Sequence, residues 1–261
     1  MIEWQDDGIV LNRRAHGEDA AIAQILTRTH GRHAGLARGA QSRRTRGTYE
    51  PGTCVQVTWR ARLAEHLGHV ACEPVAHPAA DFLTDPGRLA ALNAAMAMLT
   101  AALPERVPHP AVYDGTRALL ESLDSEHWGE IYVQWEVALL ADLGFALDLS
   151  GCAGGGNDRL AYVSPRTGRA VSISAGEPYK DRLLPLPGFL LRADTGGPEA
   201  VGAGLRLTEY FLRKHVFAPA DADVPAARQR LRQRFTAAAA DAVGDAPAGG
   251  DADPSGAPAW R

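Results

Sequence analysis

Lysine is nearly missing from this chain: only Lys180 and Lys214 occur, and the rest of its permanent positive charge is arginine. Alanine and glycine are abundant alongside it, a pattern that a biased genome produces, so arginine over lysine is not by itself a functional choice, although arginine does favour bidentate phosphate contacts. Cysteine is also scarce. Cys54, Cys72 and Cys152 are an odd number without paired spacing, which argues against a disulfide framework and agrees with a reducing compartment. Long apolar runs are absent: Ala94–Leu103 and Val137–Leu143 fall well short of the roughly 20 residues that span a bilayer. The opening residues, MIEWQDDGIV, are acidic where a secretory leader would be basic and then apolar. A cytoplasmic protein with no membrane partner is expected. The chain has no G-x-S-x-G elbow, and the Gly151–Gly156 run lacks the G-K-[ST] ending of a phosphate loop, so it is read as a flexible loop.

The most informative absence is local. Residues 20–49 contain no Asp or Glu, yet carry Arg28, Arg32, Arg38, Arg43, Arg44 and Arg46, with His30 and His33 between them. The whole chain has a formal charge of −4. A basic surface on an acidic body is the footprint of a polyanion site, weighed here against an ordinary solvated face.

With 261 residues, 46% hydrophobic and 22% charged, the chain can bury a core and suits one large domain or two to three small ones. The pattern divides it. Residues 1–79 read as all-β. A strand runs from Gly8 through Leu11, Ala20–Thr29 is ambiguous between strand and helix, and His33–Arg38 is a short third segment. In Thr53–Ala61, Val55, Val57 and Trp59 alternate with Cys54, Gln56 and Thr58, the period of a half-buried strand; Leu67–Val75 is its hairpin partner. Five short strands with glycine at the turns suggest a small closed barrel of the five-stranded OB type, a fold that binds oligonucleotides on one face. From Asp85-Pro86 the period becomes helical, with helices expected over 86–103, 111–123, 128–143 and 199–217. Pro165–Gly168 is a turn between two short strands, in an insertion at about 148–178. The fold class is thus α+β, a barrel followed by an α-helical domain over 80–236. Residues 237–261 are too poor in apolar side chains to order themselves and are expected to form a flexible tail.

Asp7-Gly-Ile-Val-Leu, His16-Gly-Glu, Leu26-Thr with His30-Gly-Arg32, and Gly35-Leu-Ala-Arg-Gly39 together resemble the N-terminal signature of the bacterial RecO family of recombination and repair proteins. Leu160-Ala-Tyr-Val-Ser-Pro, Gly168-Arg-Ala-Val-Ser and Leu184-Pro-Leu-Pro are similar to its later parts. The resemblance covers roughly residues 2–217. It implies an OB-fold that binds single- and double-stranded DNA, annealing of complementary strands, and help in loading recombinase onto strands coated by single-stranded-DNA-binding protein. Its implied partners are the RecR protein and the C-terminal tail of the single-strand binder, in a nucleoid-associated setting. The family has no catalytic residues to carry over and no enzymatic activity is expected. An RNA-binding OB protein and a nucleotide-handling enzyme are the alternatives.

The matching basic positions offer Arg32, Arg38, Arg43, Arg44 and Arg46 as DNA contacts, with His33 adding partial charge in a turn. Trp59 falls on the Val55/Val57 side of its strand and reads as core; Tyr49 could be core or a base-stacking platform. Some family members hold zinc through four cysteines in the insertion. Here only Cys152 remains, with Gly155 where a second ligand of a C-x-x-C would stand, and a structural site needs about four ligands. No metal or cofactor is expected, and the hairpin must be held by packing. His66, His69 and Cys72 are three apart, which on a strand points them to opposite sides. Arg228, Arg230, Arg232 and Arg234 either extend a DNA track or form the charged outer face of a last helix.

Overall fold

The computed structural model describes residues 1–191 and 196–244. Its first strand, β1 (Ile2–His16), is long enough to serve two neighbours. The first half pairs with β4 (Cys54–Ala61), from Ile2 opposite Ala61 to Ile9 opposite Cys54. The second half pairs with β2 (Ala20–Thr27), from Gly8 opposite Thr27 to His16 opposite Ala20, with an irregularity between Val10 and Asn12 that lets the strand bend. Gly8 makes the crossover possible, since a Cβ there would stand 2.5 Å from a Val57 methyl. The ambiguous segment after Ala20 is therefore a strand, ending at Thr27. It turns through Gly31, at φ 71°, into β3 (Gly31–Ala37). β5 (His69–Ala76) runs antiparallel to β4. The sheet closes in the order β1-β2-β3-β5-β4, and the closing pair, β3 with β5, is a single parallel bridge, Leu36 to His69.

Alternation along β4 puts Val55, Val57 and Trp59 inside the barrel, where they meet Val10, Ala23, Ile25 and Val70. Trp59 is 2% exposed, and its indole N–H donates to the carbonyls of Leu67 (3.1 Å) and Ala34 (3.3 Å). Tyr49 is core as well: it ends a 3-10 turn (Arg46–Tyr49) that lies against β5. The other face of β1 and β2 is not solvated. Ile9, Leu11 and Leu26 join the core of the helical part, each burial contributing about 1.5–3 kcal/mol.

That part consists of α1 (Pro86–Ala102), α2 (Pro110–Ser122), α3 (Trp128–Asp142), a one-turn α4 (Ile173–Gly176), α5 (Pro198–Leu212) and α6 (Ala226–Gly244). Asp85 caps α1, accepting from the amides of Gly87 and Arg88 at 2.8 and 3.1 Å. The helix expected over 199–217 is interrupted, with α5 giving way to a π-helical turn at Arg213–Phe217. The insertion holds β6 (Leu160–Val163) and β7 (Ala170–Ser172) as expected, and a third strand from beyond it, β8 (Leu184–Pro185), pairs on the far side of β6. Packing alone does not hold it. The Cys152 sulfur accepts from the Ser172 and Gly154 amides at 3.2 and 3.3 Å, and Asp158 accepts from the Ser174 amide at 2.9 Å. Among the described residues no three His, Cys, Asp or Glu side chains converge as metal ligands, and no helix is long and apolar enough to cross a membrane.

α6 corrects two expectations. It runs to Gly244, so the segment expected to be flexible from 237 begins as helix; residues 245–261 lie outside the described ones. Its arginines are neither a track nor an outer face as a set. Arg228 is fully buried and forked onto Glu136, also fully buried, with Nη2 at 2.9 Å, and its Nη2 also donates to the Leu205 carbonyl at 2.8 Å. Burial opposes the Arg228 charge, but Glu136 more than offsets that and the guanidinium stays protonated. Arg232 turns to Glu209 at 3.2 Å. Only Arg230 and Arg234 face solvent.

Candidate nucleic-acid interface

The acid-free stretch divides by direction. Its first half faces the helices. Arg28 forks onto Asp114 of α2 at 2.9 and 3.0 Å. Arg32 Nε donates to the Leu103 carbonyl at 3.0 Å, and its Nη1 reaches Gln24 at 3.0 Å and Glu105 at 3.4 Å; the side chain is only 13% exposed. His33 is buried, with its ring edge-on to Trp4 and Trp59. Burial first, then the nearby Arg106 charge, push its imidazole down to about 4, so it is neutral at pH 7. His30 stacks flat on Trp4 at 4.1 Å and sets its Nδ1 3.0 Å from Asp6. The turn was expected to expose His30, Arg32 and His33 to a polyanion. Instead Arg32 joins barrel to helices through partners 71 or more positions later, His30 is stacked on Trp4 beside Asp6, and His33 is packed against Trp4 and Trp59 and carries no charge at pH 7; spacing shows none of these contacts.

The second half is a built loop. Gly39 takes φ 68° and Ala40 is buried. The Gln41 amide donates to the carbonyls of Gly17 (3.0 Å) and Ala20 (2.9 Å), which ties the loop to the β1–β2 turn. The Ser42 and Thr45 hydroxyls meet at 2.7 Å, the Thr45 hydroxyl donates to the Gly39 carbonyl, and the Arg46 amide donates to the Ser42 carbonyl at 2.9 Å. Between these anchors Arg43 and Arg44 stand exposed, with no ion pair among the described residues. Arg46 is 66% exposed, with a loose 3.5 Å contact to Glu50.

Arg38, exposed at the start of this loop, also belongs to an open groove of about 910 Å³. Its basic lining is Arg38, Arg60, Arg62, His66 and His69, over a floor of Leu36, Ala61, Leu67 and Val70, and among the described residues no carboxylate lines it. Arg60 pairs with Glu3 at 2.8 Å from outside the groove. Tyr49 touches the groove but is buried, so no exposed aromatic ring is offered to a base. Cation-rich walls without an acidic side chain suit phosphate oxygens, and the gain on contact is counterion release. Sequence reasoning missed Arg60 and Arg62, and weighed His66 and His69 only as metal ligands. The signal was present: Gln56, Thr58 and Arg60 are the outward phase of β4, and Arg62 opens the loop that follows.

Comparison with known proteins agrees with this architecture along most of the chain. Residues 1–76 match the family described as "Recombination protein O N terminal", and residues 83–221 match "Recombination protein O C terminal". A protein named DNA repair protein RecO from Rhodospirillum centenum is 57% identical over 237 residues, covering 90% of this chain and 95% of that one. Proteins of the same name from Rhodospirillum rubrum and Phenylobacterium zucineum are 50% and 48% identical, covering 90% and 91% of this chain and 97% and 99% of their own lengths.

Proposed function

The chain belongs to the RecO family of DNA repair proteins, and on that premise we propose that its barrel binds DNA strands through the groove and the Arg43-Arg44 loop, as a non-enzymatic mediator of recombination. One observation carries the reading: a groove lined by Arg38, Arg60, Arg62, His66 and His69, with no lining carboxylate among the described residues, which continues through Arg38 into an anchored loop whose Arg43 and Arg44 have no ion pair among those residues. Contacts of this kind address phosphates and leave base edges open. Two strands held this way repel each other less and keep their pairing faces free, which favours annealing and, with it, recombinase loading onto strands coated by single-stranded-DNA-binding protein. RecR and the C-terminal tail of the single-strand binder are the proposed protein partners, and the site of action is the cytoplasm at the nucleoid.

The test is a salt titration of single-stranded DNA binding by wild type, Arg43→Ala/Arg44→Ala and Arg60→Ala/Arg62→Ala. Each lost phosphate contact lowers the slope of log affinity against log salt by about 0.7 on a single strand, so each double variant is expected to lower it by about 1.4. Unchanged slopes in both would remove the barrel from the DNA contact. RNA of the same length as competitor reads strand type in the same assay.

A further inference from the structure

The groove wall formed by residues 62–68 connects β4 to β5, yet part of what holds it comes from the helical domain. Arg106 lies between α1 and α2. It is one of two non-glycine residues at positive φ among those described, at 62°. Such a conformation is strained for a side-chain-bearing residue and persists only where surroundings over-determine it. Here they do. The Arg106 amide donates to the Arg32 carbonyl at 2.9 Å. The neighbouring Glu105 bridges β3 in parallel, opposite Arg32. Val107 sits so close to β3 that a Cβ on Gly31 would come within 2.1 Å of its carbonyl oxygen. The backbone thus enters the barrel side and aims one guanidinium at the loop, where Nη2 donates to the carbonyls of Glu65 at 3.2 Å and His66 at 3.0 Å.

We propose that Arg106 is a positioning residue for the groove: its guanidinium fixes the loop that presents Arg62 and His66, so the helical domain sets the shape of the barrel's polyanion site. On the barrel side the loop has the Trp59 indole donating to Leu67, beside Gly68 at φ 69°, and these hold its far end. The residues between Arg62 and His66 depend on Arg106. The inference rests on the groove reading, and its test separates the two.

Three variants of the full chain are compared. Arg106→Gly keeps the positive φ and the amide bond to Arg32 but removes the guanidinium; Arg106→Met keeps the length of the side chain but removes every donor; Arg60→Ala/Arg62→Ala disables the groove directly. Amide hydrogen exchange without DNA reads the loop, and affinity for single-stranded DNA reads the groove. Exchange over Leu63–Gly68 is expected to rise about tenfold in both Arg106 variants, with the rest of the barrel unchanged. Affinity is expected to fall about three- to tenfold in both, the scale of one or two net hydrogen bonds. Combined with Arg60→Ala/Arg62→Ala, Arg106→Gly should add less than about twofold, since coupled residues are non-additive. Unchanged exchange over the loop or an additive effect overturns the proposal. Loosened exchange with no loss of DNA affinity in Arg60→Ala/Arg62→Ala would instead sink the groove reading and leave Arg106 as the loop's holder only.

Discussion

At the scale of single residues, position in space separates arginines that look alike in sequence. Arg228 and Arg230 are two apart on α6, yet one is sealed against Glu136 and the other is in water. Arg228→Ala leaves the Glu136 carboxylate buried and uncompensated, a change that costs about 3–5 kcal/mol; Arg230→Ala is expected to stay within about 0.5 kcal/mol of wild type. Urea unfolding of the two variants checks this. His33 gives a pH signature. Its folded pKa of about 4 lies below the usual histidine value of 6.5. The unfolded chain therefore binds the extra proton first, and stability falls as pH drops from about 6.5 to about 4. Asp6 acts in a lower window: burial raises its pKa, but hydrogen bonds from His30 and Thr29 outweigh this and hold it below 3.8. His33→Phe, which keeps an aromatic ring between Trp4 and Trp59, is expected to flatten the slope of the urea midpoint between pH 6.5 and 4. A slope equal to wild type would mean that other groups control that window. None of this was legible in the sequence, because the partners of Arg32, His33 and Arg228 are brought in by folding from far along the chain.

At the scale of elements, much was legible. The alternation of β4, the Asp85-Pro86 start of α1 and the turn before β7 are local signals, and they place these elements to within a residue or two; Pro110, read as a breaker of the helix before it, is in fact the first residue of α2. What failed was non-local. β8 has two residues and exists only because β6 offers it an edge. The last helix extends beyond the point where apolar content ends, because helix, once nucleated by packing of its first turns, propagates through an alanine run at little cost. Of the candidate interface, the Arg43-Arg44 loop was visible as charge without acid, while Arg60 and Arg62 lay outside the acid-free window and were passed over. Gly31 is the sharpest element-level test. Gly31→Ala forces a Cβ into the Val107 carbonyl and strains a positive φ. It is expected to destabilise the protein by about 2–3 kcal/mol, read as a lower thermal midpoint, whereas Gly17→Ala, where nothing lies within 4 Å, carries only the backbone strain.

At the scale of the whole molecule, the charge is arranged against its own sum. The chain is net negative, while the groove lining and the Arg43-Arg44 loop are basic, so on the proposed reading a polyanion is steered to that side of the barrel. Because Trp59 and Tyr49 are buried and the groove floor is aliphatic, affinity is expected to depend little on the bases. Oligo-dT and an abasic single strand of the same length should bind within about threefold of each other at fixed salt, whereas a stacking platform would lose about 1–3 kcal/mol for each base removed. Fluorescence anisotropy with the two strands decides it.

The single bridge between Leu36 and His69 has a mechanical meaning. A barrel closed on four sides by long ladders and on the fifth by one residue pair is a split ring, and a split ring yields at its gap. Leu36 and His69 both line the groove, so the slot that would widen if the ring opened at its gap is the basic groove itself. Strain applied to either strand there would be taken up as a change in groove width, with the ladders from β3 through β2, β1 and β4 to β5 as the spring's unbroken arc.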